Sequence, residues 1–97
     1  MSARIPSHTL ATAEGELVLI RVSVEPHWLE KLLETLALLP FAINPQIIHG
    51  VTQGGQTAVE FPAYASWQPD VRSALIRSRL VHQLNIRPML EQLRLAC

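Results

Sequence analysis

The strongest constraint in this 97-residue chain is the stretch Val18-Leu19-Ile20-Arg21-Val22-Ser23-Val24. Side chains of a strand alternate between its two faces, so Val18, Ile20, Val22 and Val24 share one face. All four are β-branched, with few χ1 choices to lose, and suit a buried pleated surface. The strand is expected over Glu16–Val24. Its other face carries Leu17, Leu19, Arg21 and Ser23 and turns from apolar to polar along the strand. A single-layer sheet leaves its far side to solvent, so an apolar start on that side points to a partner covering it.

Pro26 ends the strand and suits the entry to a helix. Over His27–Leu39, Trp28, Leu29, Leu32, Leu33, Leu36 and Leu39 recur at helical spacing, with Glu30, Lys31, Glu34 and Thr35 on the opposite side. Pro40 stops this helix. Phe41–Val51 reads as a second strand, at an edge near Pro45 or beginning near Gln46, because proline donates no ladder hydrogen bond. Gln53-Gly54-Gly55-Gln56 is a hairpin turn signal. Thr57–Ala65 returns with Val59, Phe61 and Ala63 towards the core, and Pro62 marks an edge or a break. Pro69 and Asp70 suit the first turn of a second helix, with Val71, Ala74, Leu75, Ile76, Leu80 and Val81 on its apolar face. The end of the chain reads two ways. Asn85-Ile86-Arg87 suits a final strand, whereas Pro88–Leu95 has helical spacing and is the preferred reading. Residues 1–15 are mostly small and polar and read as a flexible arm, with a short strand near Thr9–Thr12, ahead of one domain over 16–97.

Composition narrows the class. Apolar residues make up 48% and charged residues 16%, too apolar for a disordered chain. So few charges on a small surface favour cover by another chain, and a formal net charge of zero gives no field to keep copies apart. A homodimer is therefore expected. The charge is unevenly spread: three basic against six acidic residues over 1–69, and five arginines against two acids over 70–97. The two halves either complement each other or present an anion-binding surface. One cysteine, Cys97, permits no internal disulfide and no cysteine metal cluster. The N-terminal stretch lacks the apolar core of a secretory signal, and no apolar run approaches a membrane span. A cytoplasmic protein without membrane or nucleic-acid partners fits best.

Strand, helix, strand, strand, helix is the split βαβ order, so the fold class expected is α+β: a ferredoxin-like two-layer α/β sandwich, with an antiparallel sheet and two main helices on one face. Val18–Val24, Glu25-Pro26-His27-Trp28-Leu29, the leucine-rich helix and Ala42-Ile43-Asn44 together resemble the first half of an ACT domain, over residues 17–80. The resemblance implies a small regulatory domain that pairs with a copy of itself. It also implies a small molecule, an amino acid or small anion, held near the first strand-to-helix loop. The candidate ligand-binding residues are Glu25, His27, Trp28 and Asn44. His27 stands where the family has glycine, and a side chain there obstructs close approach to the backbone.

Other chemistry finds less support. His8, His27, His49 and His82 include no i, i+4 pair, so a metal site is not expected. No phosphate loop, serine-nucleophile motif or acid pair suggests catalysis, and no cofactor is implied. Arg72 and Arg79, seven apart, read as a solvated helix face. Phe61-Pro62-Ala63-Tyr64-Ala65-Ser66-Trp67 holds three aromatic residues. Tyr64 and Trp67 join Leu17 and Leu19 as candidate interface residues. Two functions follow: a small-molecule-sensing regulatory domain like the ACT domains, or a non-enzymatic protein-interaction or assembly module.

Overall fold

The computed structural model describes residues 11–12, 15–50 and 55–89. Strand β1 (Ala11–Thr12) forms a hairpin with the long strand β2 (Gly15–Val24), Thr12 pairing with Gly15. Gly15 has φ +98°, and a Cβ there would lie 3.3 Å from the Cβ of Ala65. Backbone angle and close approach both call for glycine at this position.

A 3-10 turn at Pro26–Trp28 leads into helix α1 (Leu29–Ala37). The helix is shorter than its leucine spacing predicts. At its start Pro26 offers no N–H, and the Trp28 and Leu29 amides bond three residues back, to Glu25 and Pro26 carbonyls. At its end the Leu38 and Leu39 amides bond the carbonyls of Thr35 and Leu36, a tightened last turn ahead of Pro40. Strand β3 is only Gln46–Ile48, so the strand expected from Phe41 begins after Pro45 and lies at the sheet edge. The Gln53-Gly54 half of the expected hairpin turn lies outside the described residues.

Strand β4 (Thr57–Tyr64) pairs with β2 along its length, Leu17 opposite Tyr64 through Val24 opposite Thr57. Pro62 sits within β4, but the β3 pairing stops at Glu60, so no β3 neighbour needs its missing N–H. A second 3-10 turn, Ala65–Trp67, precedes helix α2 (Gln68–Ser78). This helix ends before Leu80 and Val81, contrary to the apolar spacing. Ser78 Oγ donates to Leu75 O at 2.7 Å and accepts from the Leu80 amide, while Arg79 turns left-handed at φ 61°. Such side-chain bonds compete with the helix backbone and fix its C-terminus. Strand β5 (Gln83–Pro88) then pairs with β2, so the strand reading holds through Pro88; residues 90–97 lie outside the described residues.

The main sheet runs β3-β4-β2-β5, all antiparallel, with β1 beside the start of β2. This is the ferredoxin-like α+β sandwich. Val18, Ile20, Val22 and Val24 meet Val59, Phe61 and Ala63 on one sheet face, beneath Leu32 and Leu36 of α1 and Val71 and Leu75 of α2. All are buried. Two residues of the expected apolar face of α2 stand in solvent instead, Ile76 at 72% exposure and Val81 at 82%. Ile76 follows Leu75 by one residue, a rotation of about 100° that carries it off the core side, and Val81 lies beyond the helix end. No helix among the described residues is long and apolar enough to cross a membrane.

Leu32→Ala or Phe61→Ala should each cost about 3–4 kcal/mol of unfolding free energy in denaturant titrations. Ile76→Ala should stay within about 0.5 kcal/mol. Arg79→Gly should raise stability by about 0.5 kcal/mol, because it removes the Cβ penalty of the left-handed conformation.

Candidate functional site

The four expected ligand residues are not brought together. Glu25, His27 and Trp28 surround the turn before α1, and all three are exposed. His27 Nδ1 lies 3.5 Å from Glu25 Oε1, with both side chains more than 60% exposed, so this contact adds little stability. The His27 and Trp28 rings are 5.0 Å apart and tilted. Trp28 is 37% exposed, not a core residue, and the Lys31 ammonium stands 5.8 Å from its ring centre. Asn44 is exposed and follows the other end of α1, a helix of nine residues or about 13 Å. None of the four lines either of the two clefts described below.

The expected interface residues divide between the two sides of the sheet. Leu17, Leu19 and Tyr64 lie on the face turned away from the helices, half-buried, with Leu17 directly opposite Tyr64 and Leu19 opposite the exposed Pro62. Trp67 is packed against the core margin. Its ring stacks on Phe41 at 4.0 Å and 13°, and the Tyr64 ring meets it edge-on at 5.0 Å. Favourable aromatic geometry thus ties the α1–β3 loop to the β4–α2 turn and holds Tyr64 in place. Phe41 was not legible as Trp67's partner because 25 residues intervene.

The same sheet face carries an ionic cluster in its middle. Arg21 donates from Nε to Glu60 Oε2 at 2.9 Å and from Nη2 at 2.8 Å, while Arg87 Nη2 stands 3.7 Å from the same oxygen. Strand register explains the meeting: Arg21 pairs with Glu60 across one edge of β2, and its neighbour Leu19 pairs with Arg87 across the other. Glu60 is 14% exposed in its side chain and Arg87 45%. One carboxylate facing two guanidinium groups leaves this part of the face net positive.

A separate groove of about 530 Å³ lies between the helices on the opposite side of the molecule, lined among others by Lys31, Thr35, Leu38, Asp70, Ser73 and Arg77. A smaller apolar cleft of about 270 Å³ lies under the α1–β3 loop, between Leu33, Phe41 and Ile43. The groove was not legible in the sequence because Lys31 lies far along the chain from Asp70 and Arg77. The only local signal was Asp70 and Arg77 at i, i+7. The other arginine pairing fails, since Arg79 has left the helix that Arg72 belongs to. Among the histidines, Nδ1 of His82 lies 2.8 Å from Leu80 O and so carries its proton, and His49 Nδ1 lies 3.4 Å from Thr57 Oγ1.

No protein-family model matches the chain, and no curated protein is similar to it in sequence. The likeness to ACT domains rests on the residues quoted for it.

Glu60→Ala should cost about 1–2 kcal/mol, because it leaves Arg21 without its hydrogen-bonded carboxylate. Arg87→Ala, at the longer and more exposed contact, should cost less than about 0.5 kcal/mol. Urea titrations of the two variants check the order.

Proposed function

We propose that the chain is a non-enzymatic association module that pairs with a second copy of itself through the face of its sheet turned away from the helices. The observation that carries this reading is the apolar end of that face, where Leu17, Leu19, Pro62 and Tyr64 are contiguous by strand register. Single exposed apolar residues are common on any surface, whereas a grouped patch rimmed by polar groups favours a protein contact. Here the rim is the Arg21–Glu60–Arg87 cluster. A two-fold axis through the apolar end would bury the patch on both copies and keep the two net-positive centres apart. A neutral chain has no overall repulsion to oppose such pairing.

Sedimentation velocity should give a dimer whose population falls sharply in Leu19→Glu, while circular dichroism stays unchanged. Ile76→Glu, on the helical side, should leave the dimer intact. A wild-type chain that stays monomeric at high micromolar concentration removes the proposal.

One observation favours a second reading, a small-molecule-sensing regulatory domain resembling ACT domains. That observation is the inter-helix groove, whose volume falls within the about 300–1,000 Å³ common to ligand sites. The Glu25–Trp28 turn lends it less support, through Lys31, which lines the groove and stands 5.8 Å from the Trp28 ring centre.

A further inference from the structure

The groove between α1 and α2 has an electrical direction. The helices follow antiparallel strands β2 and β4 and therefore run antiparallel to each other. That orientation puts Lys31, near the start of α1, at the same end of the groove as Arg77 and Ser78 at the end of α2, and Asp70, at the start of α2, at the end of Leu38–Pro40. One end of the groove is cationic and the other anionic. Asp70 and Arg77 are seven residues apart on one face of α2, two turns or about 10 Å. Between them the wall is Ser73 and Ala74, facing Thr35.

These charges are also uncommitted. Among the described residues, neither Asp70 nor Arg77 forms an ion pair or a side-chain hydrogen bond, and Lys31 has only the distant Trp28 ring. Ordinary helix pairs of opposite charge neutralise each other at three or four residues' spacing. At seven, the two cannot reach, and each is left to an outside partner. Leu38, 85% exposed at the groove's side, adds an apolar contact that nothing in the fold uses.

We propose that the inter-helix groove binds an extended zwitterion whose opposite charges stand about 10 Å apart, the span of a three-residue peptide with free ends. The ammonium group meets Asp70, the carboxylate meets Lys31 and Arg77, the middle of the ligand lies on Ala74, and Leu38 adds an apolar contact at the Asp70 end. The inference rests on the sensing reading of this groove and narrows its ligand class. A free amino acid, whose charges are only about one residue apart, spans a third of the distance and engages one end at a time. Charge-assisted hydrogen bonds at both ends supply orientation as well as affinity.

The test is a titration of isotopically labelled full-length protein, followed by amide NMR shifts, with the tripeptide Gly-Leu-Gly, its N-acetylated form, its C-amidated form, glycine and succinate. The expected result is saturable shifts at Ser73 and Ala74 with the free tripeptide, weakened about tenfold or more by either blocked end. Asp70→Asn should abolish the difference between the free and N-acetylated forms, and Arg77→Gln the difference between the free and amidated forms. Shifts at the groove with succinate or glycine and none with the tripeptide would overturn the zwitterion class and leave the sensing reading standing. No shift at the groove with any of the five would overturn both. Equal binding of the free and blocked tripeptides would also overturn the assignment of the ends. Thermal melts of both variants, unchanged from wild type, show that any loss arises in the groove and not in the fold.

Discussion

Everything else in the molecule depends on the contact between the Val18-Ile20-Val22-Val24 row and the inner faces of two short helices. The strand contributes four fully or almost fully buried β-branched side chains, and Leu32, Leu36, Val71 and Leu75 close over them. At about 25 cal/mol per Å² of apolar surface removed from water, such residues provide most of the drive to fold in a chain this small. Neither helix is long enough to be stable alone in water; each holds its shape because its inner face is buried on the sheet.

Burial on one side decides what the other side is available for. Both helices lie on the same face, so neither covers the reverse of the sheet. There the strands bring together an apolar end, Leu17, Leu19, Pro62 and Tyr64, and an ionic centre, Arg21, Glu60 and Arg87. Solvent-facing helix surfaces meet across a groove whose charges belong to both helices. The two surfaces with functional potential are thus consequences of one packing event: the reverse of the sheet and the seam between the covering helices. The Phe41–Trp67 stack joins them physically, bracing Tyr64 from behind while fixing the loop that leaves α1.

Much of the fold was legible because its signals are local. Alternation at Val18–Val24 and Val59–Ala63, leucine spacing in α1, and prolines at 26, 40 and 69 each act within a few residues, and strand or helix follows directly. Boundaries were less legible. Periodicity carried α2 through Val81, yet the Ser78 hydroxyl and the left-handed Arg79 end it earlier. It also placed Trp28 inside a helix, where the structure has a half-exposed residue in a 3-10 turn. The candidate site was least legible. Glu25, His27, Trp28 and Asn44 were grouped by a motif, but a helix's length separates Asn44 from the others. Lys31, Asp70 and Arg77 were each visible singly, and only the antiparallel packing of their helices makes a groove of them.

By itself, then, the sequence determined which residues seek the interior and which class of sandwich can satisfy them, because side-chain periodicity and proline geometry act along the chain. Only the tertiary structure decided that Glu60 would lie between two arginines, that Phe41 would stack on Trp67, and that opposite charges would occupy opposite ends of one groove. Each of those meetings depends on strand register or on how two helices lie across a sheet. Register is settled by the summed burial of the whole core, which no short stretch of residues encodes.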